Sequence, residues 1–388
     1  MRPDSRILIS GAGVSGLAAA IWLGRAGFRP VVMEKADSIR AGGYLVSLSE
    51  QAYHFATEMG LTERLRAYDI GITASSYHAK SGRSILDLDY GRMFGDLSVI
   101  QMMRDDFVQV LFEEARELAE FRYSDTIASV DQTDHPDDGA NVTFASGHQE
   151  RFDVVIGADG LHSSVRGAVF DESEFTRHRL GLYCAAFRLP NVLGISNKFE
   201  THMEQDRYMA AFTTSPAPDA DLGAVFVWSG EAVETPPRAE RHDFLLDAFA
   251  GTNAAIGKVL AECPTDNSFY MDALAQIEMP TWHRGASVVM GDAAHCLTLF
   301  SGRGAAAAFT GAGRLSKALI EEDTVAAAFA RYERETRPII DVIQPATRKA
   351  VKWYVPRNPA IYWARDLGMR LAPNALFRNY FRFKYSQV

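Results

Sequence analysis

The stretch RILISGAGVSGLAAAIWLGRAGFRPVVMEK places Gly11, Gly13 and Gly16 in the spacing G-x-G-x-x-G, with Glu34 standing 21 residues beyond Gly13. Glycines so spaced suit a backbone that must touch a pyrophosphate. Gly11 permits the tight turn, Gly13 lets the main chain approach the phosphates, and Gly16 lets a helix close on a strand. The helix that follows offers free N–H groups and partial positive charge at its start. A carboxylate such as Glu34, with Lys35 beside it, then sits where ribose hydroxyls need an acceptor. The chemistry implied is dinucleotide binding.

Two further apolar runs end in paired Asp and Gly. FDVVIGADGLHSSVR reaches Asp159-Gly160, and GASVVMGDAAH reaches Gly291-Asp292. Each pair falls at the carboxyl end of a strand, the edge of a parallel sheet where ligands bind. Downstream, GRGAAA carries Gly302, Gly304 and Ala305 in the pattern G-x-G-x-x-A. No strand ending in glutamate follows it, so it reads as a second helix N-terminus aimed at the ligand rather than a second nucleotide fold.

The elements that must hold these residues follow from apolar pattern. A strand at Ile7–Ser10, a helix at Val14–Ala26 and a strand at Val31–Met33 form one βαβ unit. LGLYCAAFRLP, RYMAAFTTS and LGAVFVWSG predict an antiparallel sheet, and helices dominate from Thr324 onward. With 388 residues, 47% apolar and 23% charged, the chain has the composition of a two-domain globular protein. A net charge of -9 argues against nucleic-acid partners. Residues 345–388 run against that charge, with nine basic side chains and one acid, Asp366. That tail is expected to pack back on the acidic body. Three scattered cysteines, Cys184, Cys263 and Cys296, show no disulfide or redox-pair spacing, and no apolar span is long enough for membrane insertion. A cytoplasmic protein is expected, with no metal site and with its oligomeric state open.

The three motifs together resemble the flavoprotein aromatic hydroxylases, the single-component FAD monooxygenases of the para-hydroxybenzoate hydroxylase type. The resemblance implies an α/β fold: a Rossmann-like FAD-binding domain with a parallel sheet, an antiparallel-sheet substrate domain and a helical C-terminal segment. The expected boundaries are 1–170 with 280–340 for the first, 171–279 for the second, and 341–388 for the basic helical segment. It implies FAD as cofactor and NAD(P)H as a transient co-substrate without a domain of its own. Asp292 would meet the flavin ribityl chain, Asp159 the cofactor phosphates, and Arg104 the ribityl and pyrophosphate. Arg40 and Gly43 would form the loop beside the isoalloxazine, and Trp282 holds the place of a family tryptophan. The middle sheet would supply a pocket for a large apolar substrate, with Tyr183, Tyr208, Phe212, Phe226, Trp228 and Leu299 as its candidate wall. Alternation along strands puts about half of such aromatics on the pocket side. His178 and His202 read as surface or core residues rather than acid-base groups.

The third motif departs from the family at three places. Leu299, Ala306 and Gly311 stand where the family has proline, asparagine and an acid. Two functions remain open at this point. One is an NAD(P)H-dependent monooxygenase that hydroxylates or epoxidises a large apolar, polyketide-like compound. The other is a non-redox cyclase of natural-product biosynthesis, for example for [4+2] cycloaddition, that keeps FAD as a scaffold and works by holding reacting atoms together.

Overall fold

The computed structural model describes residues 4–39, 44–90, 98–231, 234–373, 376, 377 and 379. The apolar runs that precede the motifs lie side by side. One six-stranded sheet has the order His283–Arg284, Ser287–Val289, Val154–Gly157, Arg6–Ser10, Arg29–Glu34, Glu120–Tyr123. Every pairing in it is parallel except at the His283–Arg284 edge. Ile7, Leu8, Ile9, Val154, Val155 and Ile156 are fully buried, as expected of strands covered on both faces. The helices Val14–Arg25, Arg104–Ala115 and Gly304–Glu321 pack together against this core, and Val325–Tyr354 packs on Gly304–Glu321.

A second sheet of seven strands has the order Tyr270–Glu278, Thr176–Leu189, Leu222–Ser229, Arg207–Thr213, Lys198–Met203, Ala74–His78, Ser84–Asp89. The middle of the chain supplies five of these strands, antiparallel as the alternating runs predict. The last two come from the N-terminal portion, and Lys198–Met203 pairs with Ala74–His78 in parallel. That junction joins strands far apart in sequence, which no local pattern announces. One face of this sheet is sealed by the helices Arg241–Ala248 and Ala254–Leu260 through Leu245, Phe249, Ile256 and Val259. The other face is turned toward the cofactor motifs.

Helix Val325–Tyr354 is capped by the Thr324 side chain, which accepts from the Ala327 N–H, and it continues unbroken past Pro338 and Pro345. It therefore runs through position 341, where the sequence suggested a new segment. Its burial explains the persistence: Gln344, inside the helix, donates to the carbonyls of Ile277 and Cys296. Three described basic residues of the C-terminal part are tied to the rest of the chain, while Lys349, Lys352 and Arg370 are exposed. Arg348 lies 3.2 Å from Glu278, Arg357 donates to the carbonyls of Gly181 and Gly230, and Arg365 is buried against Asp366. Arg378, Arg382 and Lys384 lie outside the described residues. Among the described residues no helix is long and apolar enough to cross a membrane.

Candidate active site

Three contacts bring the motifs together. Asp159 accepts from the Ser10 hydroxyl at 3.2 Å, which ties the second motif to the end of the first strand. Arg166, buried, donates to the carbonyls of Leu161 and Ala293 at 2.7 Å each, which ties the second motif to the third. Burial pulls its guanidinium down to about 10. Gly291 holds φ at +59° and lies so close to Ser15 that a Cβ there would stand 2.5 Å from the Ser15 hydroxyl. The third motif thus rests on the helix of the first.

These contacts frame a cavity of about 1700 Å³ that runs from the glycine turn to the open face of the seven-stranded sheet. Its volume exceeds the roughly 300–1,000 Å³ typical of a single small-ligand site. At the turn, Gly11 holds φ at +104° and has no room for a side chain beside the Ala158 carbonyl, and Gly16 is pressed against the Gly11 carbonyl. Gly13 differs. A Cβ there would meet nothing nearer than an Arg104 guanidinium nitrogen, at 4.0 Å. The space in front of Gly13 is open and has a cation on its far side. The Val14–Arg25 helix starts there without a side-chain cap, so its first N–H groups are available to an anion. The residues present fit a pyrophosphate.

Glu34 accepts from the Ala12 N–H at 3.0 Å and the Ala36 N–H at 2.9 Å, one to each oxygen. A carboxylate has about four acceptor sites, so each oxygen can take a ribose hydroxyl as well. Lys35 stands exposed at the same rim. Asp159 spends one oxygen on Ser164 and Val165 at the start of the next helix, while its other oxygen is buried and unpartnered. Asp292 opens on the cavity and is reached by solvent from it, and the surrounding protein raises its carboxyl above the ordinary range by desolvation, with Arg104 opposing. Gly302, Gly304 and Ala305 bring the uncapped start of the Gly304–Glu321 helix to the same space. Arg40 and Gly43 lie outside the described residues.

At the sheet end, Tyr208, Phe212 and Leu299 line the cavity. Tyr183, Phe226 and Trp228 do not, which corrects their assignment to the pocket wall. In the strand register Tyr183 faces Trp228 and Ala185 faces Phe226, while Phe212 faces Gly223 and Ala210 faces Val225. The first pairs point to the sealed face of the sheet, where they pack with Phe249 and Leu245. A one-residue offset along a strand decides the face. Trp282 is core, flanked by the tilted rings of His295 and Tyr332 at 4.8 and 5.6 Å with Arg337 over its ring. Ala306 and Gly311 are also buried inside helix packing rather than at the cavity. His178 pairs with Glu278 at 2.9 Å away from it.

The structure adds residues that the sequence reading missed as site groups. Tyr44 lies with its ring 6.0 Å from that of Tyr270, and both line the cavity. Burial pushes the Tyr44 phenol up in spite of Arg104. Asp272 also lines the cavity, accepts from Thr235 at 2.6 Å, and stands 3.8 Å from His162. The signal for Asp272 was present: it is the single acid inside the apolar run YMDALAQI. No such mark distinguishes Tyr44.

The comparisons with known proteins agree with this geometry. A family model described as FAD binding domain matches residues 4–345. A flavin-dependent monooxygenase of Legionella longbeachae serogroup 1 (strain NSW150) is 31% identical over 348 residues, covering 89% of this chain and 88% of its own. The tetracycline destructase Tet(55) superposes with a TM-score of 0.82 at 27% identity, covering 100% of this chain and 97% of its own. HpxO of Klebsiella pneumoniae, in complex with FAD and uric acid, superposes with a TM-score of 0.83 at 19% identity over 98% of this chain and 96% of its own, a likeness of fold. With the glycine turn, the open phosphate path and the three linked motifs in one cavity, the chain belongs to the FAD binding domain family and is an FAD-dependent monooxygenase.

Proposed function

We propose that the protein uses NAD(P)H and O2 to hydroxylate or epoxidise a large, apolar, polycyclic compound of polyketide type. The observation that carries this reading is the continuity of the cavity, which joins the glycine turn to Tyr208 and Phe212 on the open sheet face. FAD supplies the electron transfer from NAD(P)H and the activation of O2. The protein's own residues bind and orient. Arg104 and the two helix starts offset the phosphate charge, Glu34 accepts the ribose hydroxyls, and Asp292 accepts from the ribityl chain. Tyr208, Phe212 and Leu299 hold the substrate by apolar contact and exclude water. Tyr44, a neutral phenol held above its ordinary value by burial, can donate a hydrogen bond to a substrate oxygen.

Substrate size and ring content find support in Tet(55), whose namesake tetracycline is a fused polycyclic compound. Of the three departures that favoured a scaffold flavin, Ala306 and Gly311 do not reach the cavity, and only Leu299 does. The test is to mix the FAD-loaded protein with NADPH or NADH and a panel of fused-ring polyketides while following flavin absorbance, oxygen and product mass. Bleaching by the nucleotide, oxygen uptake and a product heavier by one oxygen atom are expected. A product of unchanged mass formed without nucleotide or oxygen would replace this reading with the cyclase.

A further inference from the structure

Where Lys198–Met203 runs parallel to Ala74–His78, His202 stands directly across from His78. Tyr77, Phe199, Thr201 and Met203 line the cavity, so by strand alternation Glu200, His202 and His78 point from the opposite face. There the two imidazoles stack with centroids 4.7 Å apart and planes inclined by 13°. Nε2 of His202 and Nε2 of His78 lie 3.7 and 3.9 Å from the same Glu200 oxygen, Oε2. Those distances are too long for hydrogen bonds. His202 is only 4% exposed, and neither of its ring nitrogens has a partner; Nε2 of His78 is likewise buried and unpartnered. Two unsatisfied imidazoles facing one carboxylate oxygen are a costly arrangement for a protein to keep without a ligand.

The outer contacts are those of a prepared ligand set. His78 Nδ1 lies 3.2 Å from the Gly82 carbonyl. A carbonyl only accepts, so Nδ1 carries the proton and Nε2 presents a lone pair to the cluster. The second Glu200 oxygen, Oε1, is held by Lys198 at 3.1 Å, which fixes the carboxylate with Oε2 toward the histidines. All three ligand atoms lie within 4.8 Å of one another. In a tetrahedral zinc site, ligand atoms about 2.0–2.1 Å from the ion are roughly 3.4 Å apart, so the stacked rings must open and turn their Nε2 lone pairs toward a common point to close the set.

We propose that His78 Nε2, His202 Nε2 and Glu200 Oε2 form a binding site for a divalent transition-metal ion of the zinc type, with the remaining position left to water. Two imidazoles and one carboxylate suit zinc rather than magnesium or calcium, which favour all-oxygen sets. The ion ties together two strands whose other faces are the cavity wall, so it braces that wall from behind.

The experiment is calorimetric titration of the chelator-treated, FAD-loaded protein with zinc alone and with magnesium alone, beside metal analysis and thermal melting. One zinc per chain is expected, with a rise in melting temperature and no response to magnesium. His78→Gln and Glu200→Gln, at side chains not sealed in the core, are each expected to weaken zinc binding by at least the roughly tenfold to 100-fold that loss of a ligand's outer partner costs. Because both variants retain size and polarity, retained flavin content and an unchanged zinc-free melt certify the fold. Absence of stoichiometric zinc binding, equal binding of magnesium, or one equivalent of zinc bound by both variants as tightly as by the parent would each overturn the site.

Discussion

The glycine turn and the seven-stranded sheet share one cavity but reach it by different means. At the turn, position is set by backbone conformation within a few residues: Gly11 at φ +104° and Gly16 against the Gly11 carbonyl leave no alternative side chain. On the sheet, position is set by the register between paired strands, so that Phe212 faces the cavity and Phe226, one strand away, faces the sealed core. A local constraint marks its residues in the sequence. A register constraint marks only their period.

The sharpest way to break this contrast lies within the turn itself. Gly16→Val drives a side chain into the Gly11 carbonyl, with the Ile9 methyl already 3.2 Å from the Cβ position. A loss of more than about 4 kcal/mol is expected, because backbone cannot yield as a side chain can. Gly13→Val meets open space, with Arg104 at 4.0 Å. That variant should fold with a near-native melt and lack flavin. Circular dichroism and flavin content measured on both would refute the division of roles if the two variants behaved alike.

Next in size is the contrast across the sheet. Phe226→Ala empties a fully buried site beside Phe187 and Phe249 and should cost about 3–5 kcal/mol of stability. Its effect on KM should be small. Tyr208→Ala, at the cavity, should leave the melt nearly in place and weaken substrate binding by about 1–2 kcal/mol of lost apolar contact. Steady-state KM and chemical denaturation on the pair give the answer, and the faces are misassigned if the effects exchange.

This contrast also accounts for what the sequence made legible. The parallel βαβ unit, the three strand-end motifs and their common cavity were readable because each depends on a short run with its own glycines. Tyr208 and Phe212 were named beside Tyr183, Phe226 and Trp228 because composition alone cannot tell two faces of a sheet apart. Only the pairing of Tyr183 with Trp228 settles it. The strands Ala74–His78 and Ser84–Asp89 join that sheet through a parallel pairing across more than a hundred residues. For the same reason His202 read as an isolated histidine; its partner His78 becomes visible only when the strands are paired.

A smaller and more specific effect is expected at Asp292. Folding raises its carboxyl above the ordinary value of 3.8 through desolvation, against the pull of Arg104. A raised folded value means that its contribution is fully present below pH 3.8 and is lost as pH rises through the folded value. At neutral pH the ionised carboxylate therefore costs the cofactor-free protein stability. Asp292→Asn should flatten that pH dependence and melt higher than the parent at pH 7 without FAD. It should also bind FAD about 1.5–3 kcal/mol more weakly if the carboxylate accepts from the ribityl chain. Melting curves of the apoprotein across pH, with FAD titrations, separate the two effects. A variant that gained no apoprotein stability would contradict the desolvation argument, and one that kept full FAD affinity would remove Asp292 from the cofactor.

The smallest effect is expected where the two regions touch, at Leu299. It begins a short turn, Leu299–Ser301, directly after Thr298, whose φ is +61°. Proline suits the first position of such a turn, since its φ is near the helical value and few N–H bonds are lost there. The residue before a proline, however, is pushed toward extended conformations, which works against Thr298. The opposing terms should leave the stability of Leu299→Pro within about 1 kcal/mol of the parent. Leu299 lines the cavity while Ala306 does not, so the double change Leu299→Pro with Ala306→Asn should perturb packing more than chemistry, because the added amide enters a nearly sealed helix face, Ala306 being 3% exposed. In a working monooxygenase the single change should alter the rate of NAD(P)H-dependent turnover only a few-fold. If Leu299 instead marked a flavin that no longer turns over, neither the parent nor Leu299→Pro would oxidise NAD(P)H with substrate present. Stopped-flow reduction of both proteins distinguishes these cases, and silence in both would place the departure at Leu299 with the loss of redox use.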